Sequence, residues 1–318
     1  MAVRALAMTT LRFGELVVQT SGRDKILFPD EGITKGEVID YYSRVAETVL
    51  PHLADRFLTL QRFPDGIGTE GFFQQARQDY FPPYITGTRA PRVSGGDIEH
   101  ISVSNAAGLV YLADQAVITI HAWLSCRDRP DFPDRMVFDL DPPADDFGGV
   151  RKAAKQVGQL LRDLGLAPFV MTTGSRGLHV VSPIDRSRNF AEVRSFARRV
   201  AEVLAARHPD SLTTEQRKSA RKGRLYLDIM RNAYGQTAVA PYSLRARPGA
   251  PVATPLDWDE LDRAGLTAQR YCLRNLFRRL GRKADPWQDI ARFETKLHTA
   301  ERALEQIDAD TSTRLRVT

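Results

Sequence analysis

The residues best suited to chemistry are Asp139-Leu140-Asp141, at the end of the apolar run Met136-Val137-Phe138. Along a strand, alternation points both carboxylates to one face. Two acids side by side with no cation between them repel each other, and a divalent metal relieves that repulsion. A third acid follows in Leu225-Tyr226-Leu227-Asp228-Ile229-Met230, where the leucines and the isoleucine take one face and Asp228 shares the other with Tyr226 and Met230. Three carboxylates from two strands suit two Mg²⁺ or Mn²⁺ ions about 3.5–4 Å apart, the arrangement used for in-line phosphoryl transfer. The bland alternative is that Asp-Pro-Pro after a strand is only a turn.

The segment between these acids adds to the signal. After a helix expected over 149–165, a second apolar strand, Phe169-Val170-Met171-Thr172-Thr173, leads into Gly174-Ser175-Arg176-Gly177-Leu178-His179. Its glycines allow a tight turn that brings backbone N–H groups to an anion, and Ser175, Arg176 and His179 add side-chain donors, which together make a phosphate cradle. A histidine in an apolar strand can equally be a packed core residue.

These residues, in this order, resemble a known family. Val137-Phe138-Asp139-Leu140-Asp141-Pro142, Thr173 through His179, Asp228, and Thr237-Ala238-Val239-Ala240-Pro241-Tyr242-Ser243-Leu244-Arg245 look like the polymerase domain of bacterial LigD-type end-joining ligases, within the archaeo-eukaryotic primase superfamily. Earlier matches are Asp24-Lys25-Ile26-Leu27-Phe28-Pro29, Thr34-Lys35-Gly36, Tyr41-Tyr42 and Phe72-Phe73, so the likeness runs to about residue 265. An ordered set of this kind is far more specific than any one motif.

The resemblance implies a role for each position. Asp139, Asp141 and Asp228 would ligate two Mn²⁺ or Mg²⁺ ions that join an incoming NTP or dNTP to a primer 3′-hydroxyl. Ser175, Arg176 and His179 would hold the triphosphate, with Arg245 and Arg231 neutralising more of its charge and His121 near the sugar. Lys25 and Lys35 match residues that hold a 5′-phosphate on the downstream side of a gap, and Phe72 and Phe73 match an aromatic pair facing the template. Taken without the family, these four read as solvated charges and core rings. Two positions depart from the pattern: Gly22 falls in Ser21-Gly22-Arg23, where the family usually has Asn, and Gln75 stands where it often has Lys. The departures weaken the expected 5′-phosphate recognition and leave the acids untouched.

Composition fits a polyanionic partner. The 318 residues carry 45 Lys and Arg against 39 Asp and Glu, a net charge of +6, and a pI near 9.4 favours nucleic acid. Five cations and no acid occupy Arg217-Lys218-Ser219-Ala220-Arg221-Lys222-Gly223-Arg224. Just before the Asp228 strand, Lys218 and Arg221 are thereby candidates to guide a DNA backbone or triphosphate. A second cluster, Arg274, Arg278, Arg279, Arg282 and Lys283, reads as either a solvated face or a DNA contact. Two cysteines are too few for a disulfide framework. With no signal-like or membrane-length apolar run, the expectation is a soluble protein of the cytoplasm, at the nucleoid, with no membrane partner.

The expected fold class is α/β (α+β), a primase-polymerase fold with two sheets flanked by helices. Thr34-Lys35-Gly36-Glu37 reads as a capping box opening a helix through Val49. Residues 1–134 form an N-terminal lobe on the template and 5′-phosphate side, residues 135–255 a catalytic lobe, and residues 256–318 a helical tail, the lobes making one compact unit. Strand-helix-strand-strand-helix-strand from 135 to 230, with the second helix at 190–207, is the order of a ferredoxin-like sheet, which would carry all three acids. Helices are expected at 258–264, 269–280 and 286–307, and disorder in the first dozen residues.

The expected function is template-directed addition of nucleotides, ribonucleotides preferred, to fill short gaps in end joining or excision repair. The chain has no ligase-type Lys-x-Asp-Gly nucleophile, so gapped or primer-template DNA is its expected partner, with a separate DNA ligase and Ku acting beside it. Two alternatives come from other classes. Asp-Leu-Asp also opens haloacid-dehalogenase-type phosphatases, with Asp139 as nucleophile, Asp141 as acid/base and Thr172 or Thr173 as the second-strand hydroxyl. Pro143 stands where that family places a hydroxyl residue. A non-catalytic DNA-bridging protein is the other, although three carboxylates beside DNA repel phosphate unless metals intervene.

Overall fold

The computed structural model describes residues 8–92 and 94–315. The chain forms two units, one from residues up to 123 with 237–254 and 271–285, the other from 124–236, 255–270 and 286 onward. Chain order therefore does not divide it at 134 and 255, as the sequence reading expects. The reason is a strand, Thr237–Val239, that follows the acidic sheet yet pairs antiparallel with Val117–Trp123. The expectation for residues 1–7 lies outside the described residues. From Met8 the chain is a strand, because Met8–Phe13 pairs with Leu16–Ser21 as a hairpin.

In the first unit, β1 (Met8–Phe13) and β2 (Leu16–Ser21) lead to β3 (Ile26–Phe28), β4 (Ile33–Thr34) and helix α1 (Lys35–Leu53). The expected capping box opens α1: the Thr34 hydroxyl accepts from Glu37 N–H, and the Glu37 carboxylate accepts from Thr34 N–H at 2.9 Å, two orphan donors satisfied at once. β5 (Leu58–Arg62), β6 (Phe72–Gln74), β7 (Ile85–Pro91), β8 (Asp97–Val103), α2 (Ala106–Asp114) and β9 (Val117–Trp123) follow. Thr237–Val239 completes a sheet in which β9 and β8 flank β5, and β6 also pairs with β5. Val38, Ile39, Tyr42, Val45 and Val49 of α1 join one apolar cluster with this sheet.

The second unit holds β10 (Arg135–Asp141), α3 (Phe147–Asp163), β11 (Phe169–Thr172), β12 (Leu178–Pro183), α4 (Phe190–Arg207), β13 (Leu212–Thr213) and β14 (Leu225–Asp228). Its strands lie in the order β13-β14-β10-β12-β11, extended by Thr254–Leu256. Taking β10, β11, β12 and β14 as one to four, the order is 4-1-3-2 with antiparallel neighbours, the ferredoxin-like sheet expected from the sequence. Both helices are where the periodicity puts them. Asp146 caps α3 on Gly149 N–H, and Asn189 and Glu192 cap α4 reciprocally. α3 packs on β10, β12 and β14, and Gly158 permits a close approach: a Cβ there would stand 2.3 Å from the Trp258 ring.

The C-terminal region is less helical than expected. Trp258–Asp262 is a 3₁₀ turn, the helix expected at 269–280 is only Leu276–Leu280, and the last helix is Leu297–Leu315. Five residues after the 3₁₀ turn, Thr267 accepts an N–H from Arg270, so local turns take the hydrogen bonds that a longer helix would use. Among the described residues, no helix is long and apolar enough to cross a membrane, and Cys126 and Cys272 are free thiols.

Candidate active site

The register of β10 brings the acids together. Asp139 faces Asp228 across the antiparallel pair with β14 and His179 across the pair with β12, while Asp141 faces Tyr226. Period-two alternation places Asp139, Asp141, Tyr226 and Asp228 on one side of the sheet. That side opens on a cavity of about 380 Å³, lined by all three acids together with Arg176, Lys218, Arg221, Gly223, Tyr226, Pro142 and Pro143.

Each carboxylate has a cationic or N–H partner. Asp139, 7% exposed, accepts from Arg231 Nε at 3.2 Å and lies 3.5 Å from His179 Nε2. Burial pushes its pKa up, but His179 and Arg231 outweigh that and hold it at about 2. Asp141 lies 3.6 Å from Arg176, and Asp228 accepts the Met230 N–H at 2.7 Å. The pKa values of Asp141 and Asp228 are raised, by burial first and by the charge of Asp139 as well. Turned in this way onto separate partners, the acids are not gathered about a single point. Among the described residues, no three His, Cys, Asp or Glu side chains enclose an ion as they stand.

The donor set nonetheless fits divalent cations. Three carboxylates share one face, and two of them are penalised for ionising by burial and by Asp139, the situation a hard cation with oxygen ligands relieves.

The phosphate hairpin is built from within. Thr173 Oγ1 donates to Gly177 O at 3.1 Å and accepts from the N–H groups of Ser175 and Gly177, each at 3.3 Å. Gly177 is obligatory for another reason: a Cβ there would meet Leu140 O at 2.0 Å and Asp141 Oδ1 at 2.8 Å. Ser175 is anchored through its carbonyl, which accepts from Gln269 at 2.8 Å. Arg221, in the 3₁₀ turn Lys218–Arg221, donates to the Glu215 and Gln216 carbonyls and lies 4.3 Å from the centre of the Tyr226 ring.

Sequence reasoning missed the clamp on β10. Asn232, wholly buried, accepts from Val137 N–H at 2.8 Å and donates to Val137 O at 2.7 Å and to Ile229 O at 2.9 Å. It replaces the ladder partners that β14 no longer supplies two residues before Asp139. Nothing local in Arg231-Asn232-Ala233 marks it, because its partner is 95 positions away.

The remaining expected site residues lie in the first unit. Lys35 N–H donates to Lys25 O at 2.7 Å, so the two lysines are neighbours, but their ammonium groups part. Lys25 pairs with exposed Asp65 at 2.8 Å, whereas Lys35, 8% exposed, pairs at 2.9 Å with half-buried Asp114. Gly22 takes the left-handed conformation at φ +54°. Phe72 and Phe73 are exposed on β6, and the Phe73 ring lies 6.1 Å from that of His121. Arg245 N–H donates to Pro251 O at 2.8 Å. In the second basic cluster Arg279 is buried, with its guanidinium 4.9 Å from the Tyr271 ring centre, which removes it from a solvated face.

Residues 34–287 match the family model described as LigD, primase-polymerase domain. A multifunctional non-homologous end joining DNA repair protein LigD of Mycobacterium tuberculosis is 35% identical over 263 residues, 80% of this chain and 34% of that protein. The bifunctional non-homologous end joining protein LigD of Bacillus subtilis is 31% identical over 86% of this chain and 44% of its own length. The chain thus spans about a third of the mycobacterial relatives it matches. The polymerase domain from Mycobacterium tuberculosis Ligase D, solved in complex with DNA, superposes with a TM-score of 0.81 at 32% identity, covering 87% of this chain and 99% of that one.

Proposed function

The chain belongs to the LigD primase-polymerase family, and we propose that it adds nucleotides, ribonucleotides in preference, to primer 3′-hydroxyls and so fills short gaps during DNA break repair. The observation that carries this reading is the cross-strand pairing of Asp139 with Asp228, with Asp141 on the same face of one cavity. Asp139, Asp141 and Asp228 would hold two Mg²⁺ or Mn²⁺ ions. When bound, these ions would activate the primer hydroxyl and offset charge on the departing pyrophosphate.

The protein's own groups prepare that site. Arg176 and Arg231 neutralise Asp141 and Asp139 in the present arrangement, and an incoming triphosphate offers both guanidinium groups a stronger, bidentate anion. Lys218 and Arg221 line the cavity wall and add positive potential for the nucleotide or DNA backbone. His179, held against Asp139, keeps that carboxylate ionised and oriented. Ser175 is a further triphosphate contact, and a nucleotide-binding role for His121 and Arg245 rests on the family resemblance alone.

Lys25 is the proposed contact for a downstream 5′-phosphate, because its partner Asp65 is exposed and readily exchanged. Lys35 already gives two of its three ammonium donors to Asp114, which leaves one for such a phosphate. A phosphatase reading gives Asp228 no task, and Thr173 Oγ1 is occupied within the hairpin turn. A separate DNA ligase and Ku are proposed partners in the cytoplasm.

The test is a one-nucleotide gap with labelled NTP or dNTP and Mn²⁺. Incorporation that is template-matched and faster with NTP supports the reading, and release of phosphate without incorporation refutes it.

A further inference from the structure

The hairpin Gly174-Ser175-Arg176-Gly177 is held from two sides. At one end Gly177 sits against the end of β10, where a Cβ would meet Leu140 O at 2.0 Å. On the other side the Ser175 carbonyl accepts from Gln269 Nε2 at 2.8 Å, a residue 94 positions later in the chain. Between these two anchors lies the peptide that joins Ser175 to Arg176.

The hydrogen bonds inside the hairpin leave specific donors open. Thr173 Oγ1 takes the N–H groups of Ser175 and Gly177. The N–H groups of Gly174 and Arg176 and the Ser175 hydroxyl donate to no group among the described residues. Gly174 takes the left-handed conformation at φ +64°, and turns of this kind gather open N–H groups into an anion-binding concavity. A peptide unit is planar and trans, so its C=O and its N–H point in opposite directions. The bond from Gln269 to Ser175 O therefore also fixes the direction of the Arg176 N–H, away from Gln269.

Gln269 is itself firmly placed. Leu266 and Ala268 are buried beside it, and Arg270 N–H closes the turn on Thr267 O at 3.2 Å. Turn and hairpin belong to the same unit. Gln269 is exposed, and one exposed hydrogen bond adds little to the stability of a fold. Its consequence is local: without it the Ser175–Arg176 peptide is free to rotate, and the hairpin must be ordered when an anion binds.

We propose that Gln269 is a positioning residue for the nucleotide's phosphates, which turns the Arg176 N–H toward the anion by holding the Ser175 carbonyl. The inference rests on the polymerase reading above and deepens it, giving the turn at 266–270 a part in triphosphate binding. Gln269 acts through Ser175, so its effect is present in the hairpin before any nucleotide arrives.

The test compares wild type with Gln269→Met, a side chain of similar length without a donor, in single-nucleotide incorporation with Mn²⁺ in excess. KM for the NTP should rise on the order of threefold to tenfold, the loss of one hydrogen bond, with kcat within about twofold. The inhibition constant of inorganic tripolyphosphate, which carries phosphates but neither base nor sugar, should rise by the same factor. Melting should stay within about 2 °C of wild type. In the nucleotide-free protein the Arg176 amide resonance should move on substitution, whereas a residue that only touched the phosphate would leave it in place. An unchanged KM, a raised KM with unchanged tripolyphosphate inhibition, or an unmoved Arg176 resonance would each overturn the assignment. So would a loss of kcat as large as the rise in KM together with lower melting, which would make Gln269 a general support of the fold. Wild type that incorporates nucleotide, matched by the variant, overturns the role of Gln269 alone. Wild type that incorporates none overturns the polymerase reading as well.

Discussion

Replacing Lys35 with methionine separates folding from phosphate recognition, because the Lys35 ammonium is enclosed with Asp114 at 2.9 Å, the side chains 10% and 9% exposed. The same ammonium donates to Asp114 O at 3.1 Å, and Asp114 Oδ1 also accepts Ser21 N–H at 2.9 Å. Lys35→Met would strand a largely enclosed carboxylate, and stranding a fully buried one costs about 3–5 kcal/mol when nothing else compensates. The surviving Ser21 bond argues for the lower end, about 3 kcal/mol, or a melting point lower by about 6–12 °C. Asp114→Asn keeps an acceptor for Ser21 but leaves the ammonium unpaired, at similar cost. If the pair acts as a unit, the double variant loses about as much as either single one, a coupling of about 2–3 kcal/mol. Urea and thermal unfolding of the four proteins measure this. Lys35→Met within about 0.5 kcal/mol of wild type, combined with loss of any response to a downstream 5′-phosphate, would refute the reasoning and make Lys35 a free phosphate ligand.

Other outcomes follow from the same contacts. Lys25→Ala, which breaks only an exposed pair, should leave melting unchanged and reduce the preference for gaps bearing a 5′-phosphate, measured on matched gapped substrates. Gly22→Asn should increase that preference in the same titration, because Asn tolerates the left-handed φ of +54° and adds an amide donor. Gly177→Ala should lower primer extension at least tenfold, since relieving a 2.0 Å approach to Leu140 O displaces the strand end that bears Asp141. For pH, an acid whose folded pKa is raised is penalised for ionising, so its contribution is favourable at low pH and lost as pH rises through the folded value. Asp228, raised by burial and by Asp139, therefore costs stability at neutral pH, and Asp228→Asn should melt higher than wild type there while gaining less from added Mn²⁺ in differential scanning calorimetry.

Much of the second unit was legible because its signals are local. Alternation in Met136–Asp141 and Leu225–Asp228 fixed which faces the acids take, and the caps at Asp146 and Asn189 opened the helices where periodicity expects them. The position of Asp228 opposite Asp139 follows from strand order, which only the βαββαβ pattern made readable. The boundaries failed where pairing is non-local: Thr237–Val239 returns to β9, more than a hundred residues back. The opposite fates of Lys25 and Lys35 were equally hidden, since Asp65 and Asp114 lie 40 and 79 positions away. In the tail, Arg274 to Lys283 reads as an exposed basic helix, yet Arg279 is buried over Tyr271, a tertiary contact that charge pattern does not encode.

The central claim, that Asp139, Asp141 and Asp228 form a metal-dependent nucleotidyl-transfer centre, is tested most directly by primer extension with labelled nucleotide and Mn²⁺ for wild type and the three single alanine variants, with DNA affinity measured in parallel. The account predicts extension by wild type that chelation abolishes. It predicts none by any of the three variants, and DNA binding in each close to wild type, since affinity comes from cations and the acids serve the chemistry. Near-normal extension by Asp228→Ala would contradict it.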